Sequence, residues 1–303
     1  MRMKLLFQNS FIILVLALII TISTINSSIF SQEENTQGQG QEQQKIQSLQ
    51  SEIQNLTNRY GSPNIHENVI TDFNSNISYP EIENTAFIHP FAVVIGACYI
   101  GELVMVAPTA VCRGDEGTPI HISAYANMQD DVVIHSLETT KDGKNLDNRR
   151  FTNDGELLLG NDTRFKDGYS VFVGERTSLA HGTLVHGPAY IGNDTFVGME
   201  SLVFNAKIGN NVAIGVSSTI TGGVEIPDNK FVPVGSTITT QEQVDKLPNR
   251  IGSDYENINK EVVHVNEKLA EGYKELDIEK IIGEREKVME QNMLETSMSS
   301  SIQ

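Results

Sequence analysis

Three histidines carry the chemistry this chain offers. His181 and His186 lie five residues apart in Ser178-Leu179-Ala180-His181-Gly182-Thr183-Leu184-Val185-His186-Gly187-Pro188, and His135 ends the upstream stretch Asp131-Val132-Val133-Ile134-His135. Three neutral imidazoles with a fourth position left open make the donor set of a catalytic zinc-type site. His66, His89, His121 and His264 find no partner by spacing alone.

The element that must position these rings is a repeat. Ile82, Ile88, Val94, Ile100, Val106 and Cys112 follow at steps of six. Ile122, Met128 and Ile134 resume after an insertion, and Val173, Leu179, Val185, Ile191, Val197 and Val203 after a longer one. One residue is skipped before Ile208, Ile214, Ile220, Ile226, Val232 and Ile238. A period of six matches neither an α-helix nor plain alternation, and it is the hexapeptide pattern of a parallel β-helix. Each six residues form one face and a corner, with one branched apolar side chain inward. No coil is stable alone, so coils must stack. Glycine, Asn and Asp are expected where the backbone bends. Glycine often follows the apolar residue, as in Ile100-Gly101, Val173-Gly174, Ile191-Gly192, Val197-Gly198 and Ile208-Gly209. His135 and His186 each follow an apolar repeat residue by one place, so their rings project outward. Rings on different faces of one prism cannot share an ion, but rings from prisms packed side by side can.

Two stretches break the register and must bulge as loops: Arg113-Gly114-Asp115-Glu116-Gly117-Thr118-Pro119, and residues 139–170. The second holds Asp142-Gly143 and Asp154-Gly155, which mark tight turns, and Leu157-Leu158-Leu159, which reads as a small strand. After Ile238 the repeat stops. Residues 241–247 and 254–276 read as helices, the second with Val262, Val265, Leu269 and Tyr273 on an apolar face that packs along the prism. Residues 277–303 continue as a charged tail.

With a formal net charge of −17, a nucleic-acid partner is disfavoured. Cys98 and Cys112 supply neither a disulfide framework nor a zinc cluster, and Cys112 falls on a repeat position, which favours a buried small hydrophobe over a disulfide. Arg2 and Lys4 precede the apolar run Phe11–Ile20, so residues 1–31 read as a signal peptide or N-terminal membrane anchor. Residues 32–60 read as a polar Gln-rich tether with a short helix, 61–240 as the β-helix domain and 241–276 as C-terminal helices. The expected location is outside the cytoplasm, secreted or membrane-anchored.

At the histidines the chain resembles the gamma-class carbonic anhydrases, in particular the archaeal prototype group. The resemblance rests on Arg113–Ile120, Asn127-Met128-Gln129-Asp130-Asp131-Val132-Val133-Ile134-His135-Ser136-Leu137-Glu138-Thr139, the Leu179–Pro188 stretch, and Val265–Lys274. It spans about residues 66 to 275. It implies a left-handed parallel β-helix with a C-terminal α-helix alongside, assembled as a homotrimer with its active sites between subunits. The implied reaction is reversible hydration of CO2 to bicarbonate and a proton, with metal-bound hydroxide as nucleophile. His135 and His186 of one chain and His181 of its neighbour would hold zinc, with ferrous iron or cobalt as substitutes. Gln129 and Asn127 would orient the water, Glu116 would assist proton transfer, Asn266 would position CO2, and Glu138 would shuttle the proton to solvent. Arg113 and Asp115 would form an intersubunit ion pair. His264 departs from the family by replacing a tyrosine, Phe73 stands in for an N-terminal tryptophan, and the 139–170 loop is long. Two other readings stand beside this one. A hexapeptide-repeat acyltransferase needs one histidine as base rather than three. A catalytically silent structural subunit of the gamma type usually lacks a histidine or the acidic loop, and both are present here.

Overall fold

The computed structural model describes residues 64–136, 140–141, 144–145 and 148–276. The signal or anchor, the tether, the tail and Glu138 lie outside the described residues. The chain divides into two units, Met1–Gly61 and Ser62–Gln303, and all described residues belong to the second.

That unit is a left-handed parallel β-helix of about 8 turns. Every strand of the coils pairs in parallel with its equivalent in the next coil, giving three faces. The first face runs through Val93–Gly96, Val111–Gly114 and Val133–His135 into the first half of Leu184–Ile191. The second runs through Glu81–Ile82, Cys98–Ile100, Ile120–Ile122 and Val171–Val173 into that strand's second half. The third runs from Phe87–Ile88 through Met105–Val106, Asn127–Met128, Ser178–Leu179 and onward to Phe231–Val232. The repeat residues point inward and form the core, nearly all of them fully buried. Ile82 and Ile88 are only partly buried, because they belong to the first coils of the stack.

Two expectations about the coils need correction. Positive φ at the corners falls on Leu103, Thr109, Tyr125, Arg176 and Glu200 as well as on Asn and Asp, so stacking between coils holds side chains in a conformation they rarely choose alone. The glycines after the apolar residues serve a different need. A Cβ on Gly198 would lie 2.6 Å from the Ile214 carbonyl oxygen, and one on Gly174 would lie 2.6 Å from the Asn193 backbone nitrogen. Glycine is there because adjacent coils approach too closely for a side chain. A third correction concerns the cysteines. Cys98 and Cys112 are buried in the core and joined as a disulfide over a separation of 14 residues. Closing a loop of that size disfavours the unfolded chain by about 3 kcal/mol.

The long insertion contains two antiparallel hairpins, Thr140–Lys141 with Lys144–Asn145, and Arg149–Phe151 with Leu157–Leu159. The second lies against the outside of the second face, where Phe151, Phe172 and Tyr190 form a small separate core. On that face the outward residues stack in register as Glu81, Tyr99, His121, Phe172, Tyr190, Lys207 and Glu225. His121 lies between Tyr99 at 4.5 Å and Phe172 at 4.9 Å, both rings nearly parallel to it. Burial lowers its pKa to about 4. The unfolded chain takes a proton near 6.5 and the folded one near 4, so unfolding binds protons between those values. Stability is therefore expected to be complete above about pH 6.5 and to fall by up to about 3 kcal/mol as the pH drops towards 4. Urea midpoints at pH 7 and 4.5 read this loss, and His121→Phe should remove its share of the slope.

After the last coil come two helices, α1 (Gln241–Asp245) and α2 (Ile258–Glu275). Helix α2 packs on the third face, and only in part by the expected stripe. Asn259, Val263, Asn266 and Ala270 are buried, whereas Val265, Leu269 and Tyr273 are 37–53% exposed. The helix is rolled so that Val265 and Leu269 overhang a cleft, while Tyr273 stacks its ring on Phe87 of the third face at 5.0 Å.

Candidate functional site

On the first face the register sets Ile95, Arg113, His135, His186 and Phe204 on successive outward rungs. Parallel rungs lie about 4.8 Å apart, so residues far apart in sequence become neighbours. The His135 and His186 ring centroids are 4.9 Å apart, and His135 Nδ1 lies 3.1 Å from His186 Nε2. Phe204 presents its ring to His186 edge-on at 5.3 Å.

The donor chemistry of this pair fits a divalent cation. His186 Nδ1 lies 3.1 Å from the Gly187 carbonyl, which can only accept, so the proton sits on Nδ1 and Nε2 keeps its lone pair. His135 Nε2 is buried without a hydrogen bond and lies 3.3 Å from Glu116 Oε1, within ion-pair range. With the His186 Nε2 lone pair facing His135 Nδ1 and a Glu116 oxygen facing His135 Nε2, either tautomer of a neutral His135 sets one lone pair against another acceptor, an arrangement that a bound cation relieves. Two imidazoles on one tetrahedral ion, each at about 2.0–2.1 Å, have donor atoms about 3.3 Å apart, close to the 3.1 Å between His135 Nδ1 and His186 Nε2.

Arg113 and Asp115 flank this corner. They pair with each other within the chain, Nη2 to Oδ2 at 2.9 Å and Nε to Oδ2 at 3.1 Å. Arg113 ends a strand and Asp115 opens the following turn, so the two side chains meet locally.

His181 is elsewhere. It follows the third-face strand Ser178–Leu179, is exposed, and its Nδ1 lies 2.9 Å from Asp130 Oδ2. The carboxylate holds the proton on Nδ1 and leaves Nε2 as the donor atom. On the same face Gln129 Nε2 donates to Asn127 Oδ1 at 3.3 Å, and Asn127 Nδ2 donates to Ser178 Oγ at 2.9 Å. Gln129, His181 and Asn266 line one cleft of about 550 Å³, whose other walls include Met105, Phe196, Met199 and Val265. Asn266 Nδ2 donates to the Val262 carbonyl at 2.9 Å. His264, on another side of α2, borders a polar cavity with Arg176 and Glu267. Among the described residues no three His, Cys, Asp or Glu side chains converge to hold a metal. The candidate residues thus form two groups on different faces: Glu116, His135 and His186 on one, and Asn127, Gln129, His181 and Asn266 on the other.

Asp130 and Phe204 were not singled out from sequence. Phe204 stands three six-residue faces after His186, a spacing that points to it. Asp130 carried no comparable signal, since acids beside a turn are ordinary.

A scan against protein-family models finds no match. The chain is 44% identical over 215 residues to the carbonic anhydrase of Methanosarcina thermophila, covering 70% of this chain and 82% of that one. It is 38% identical over 203 residues to the carboxysome assembly protein CcmM of a Nostoc species, covering 67% of this chain. The aligned part is a third of that relative's length, 33%. A solved hexapeptide transferase family protein from Anaplasma phagocytophilum is similar with a TM-score of 0.46 and 21% identity, over 65% of this chain and 93% of that one.

Proposed function

The chain belongs to the gamma-class carbonic anhydrase family, and on that premise we propose that it catalyses the reversible hydration of CO2 to bicarbonate and a proton. The observation that carries this reading is the His135–His186 pair, whose nitrogens face each other at 3.1 Å beside Glu116. Zinc, or ferrous iron or cobalt in its place, supplies a Lewis acid that lowers the pKa of a water to about 7. The rest falls to the chain's own residues. His135 and His186 would hold the ion together with His181 of a neighbouring copy. Glu116, 3.3 Å from His135 Nε2, would take a proton from the attacking water. Asn127 and Gln129 form a fixed hydrogen-bonded pair that orients that water. Asn266 and the apolar wall of Met105, Phe196, Met199 and Val265 favour an uncharged substrate such as CO2.

The working unit in this proposal is a homotrimer with three sites between subunits. Its support is the separation of the two residue groups on one chain, together with the exposed apolar edge of α2. We place the protein outside the cytoplasm. The Cys98–Cys112 disulfide supports this, because such bonds persist in oxidising compartments.

Stopped-flow CO2 hydration by the purified full chain, before and after chelation, tests the reading. Activity is expected to vanish with the metal and to return on adding zinc. A protein that keeps its fold and metal yet shows no hydration would instead be a structural subunit, a second reading that the similarity to a carboxysome assembly protein favours. Glu138 is proposed as the proton shuttle. Glu138→Ala should lower turnover mainly in dilute buffer and be rescued by imidazole, while equal loss at high buffer would remove Glu138 from that role.

A further inference from the structure

The second face carries neither residue group of the candidate site, yet it holds a cleft of about 660 Å³. Tyr79, Tyr99 and Tyr169 give it aromatic walls, both faces of the lining His121 being covered by Tyr99 and Phe172, and Glu81 and Asp167 give it carboxylates. The outward ladder of this face explains why the cleft is unbalanced. At one end the stack runs from Tyr190 to Lys207 to Glu225, with the Lys207 ammonium 3.9 Å from the Glu225 carboxylate. A ring, then a cation, then an anion is the favourable order, because the face of an aromatic ring is negative. At the other end the rung after Tyr99 is Glu81, with no cation between. Tyr99 also donates its hydroxyl to Glu83 at 3.1 Å, which brings a further carboxylate to the same ring. His121 contributes no positive charge near neutral pH, since burial keeps its pKa at about 4. The neighbouring phenols feel the excess of negative charge. Burial first, then Glu83 and Glu102, raise the pKa of Tyr99, and burial first, then Glu81 and Asp167, raise that of Tyr169.

We propose that this cleft binds a small organic ammonium ion, held over the aromatic walls and neutralised by Glu81 and Asp167. Cation–π attraction favours a soft, weakly hydrated cation over a small inorganic one. Lys166, which also reaches the cleft wall, is the internal competitor for the same place.

The test is isothermal titration of the full chain with tetramethylammonium, with tert-butanol as neutral isostere and potassium as inorganic cation. Tetramethylammonium should bind at least about tenfold more tightly than either control. Glu81→Gln, an exposed position, and Tyr169→Leu should each weaken it several-fold, and Lys166→Gln should tighten it. Unfolding midpoints identify any variant that has lost its fold, and the exposed Glu81 and Lys166 changes then decide. Equal binding of the neutral isostere, or an unchanged affinity in Glu81→Gln, would overturn the proposal. The CO2 assay is independent of this outcome, because the cleft shares no residue with the candidate metal site.

Discussion

Replacing His186 by alanine should lower kcat/KM for CO2 hydration by more than about 100-fold. Ionisation supplies the first part of this loss. A water on a protein-held zinc ion has a pKa near 7, and on a freely hydrated ion near 9, so about 50-fold less hydroxide is available at pH 7 once the site is lost. Weaker metal retention adds to the loss, since even residues that only orient ligands change affinity by about 10–100-fold. Zinc content measured on the same sample should fall with activity. The fold should survive, because His186 projects outward while its neighbour Val185 supplies the core contact. Undiminished turnover with a full complement of metal would show that the ion sits elsewhere.

Mixing two inactive variants should restore activity. His135→Ala and His181→Ala each disable every site of a homotrimer whose sites draw His135 from one subunit and His181 from the next. When the two chains are co-expressed in equal amounts, a site is whole wherever a subunit retaining His135 meets one retaining His181. Random assembly gives that arrangement at about a quarter of the sites. Recovery to about a quarter of wild-type activity is expected from the mixture, against background for either variant alone. The geometry demands this outcome if the reading is right, because His135 lies on the first face and His181 follows a strand of the third. No recovery in demonstrably mixed oligomers would place each site within a single chain.

The repeat residues from Ile82 to Ile238 were legible because stacking coils impose the same demand at every face, one branched apolar side chain inward, whatever lies between. The outward direction of His135 and His186 followed from the same alternation. The cysteines carried an overlooked signal: Cys98 lies two residues before Ile100, on the same inward side of its strand. The roll of α2 was not legible, because Val262, Val265, Leu269 and Tyr273 form an apolar stripe whether that stripe meets the prism or overhangs a cleft. The insertions had the same effect on contacts between coils. They hide which rung follows which, so the ring stack of Tyr99, His121, Phe172 and Tyr190 emerges only when the coils are superposed in space.

The amino-acid order alone therefore settled the coil, the inward core and the outward histidines, because each depends on spacing within one face. The tertiary structure settled the pairing of His135 with His186 on adjacent rungs, the local Arg113–Asp115 ion pair, the buried disulfide and the cleft beside His181. Those depend on distances between coils, and a one-dimensional period interrupted by loops does not encode them.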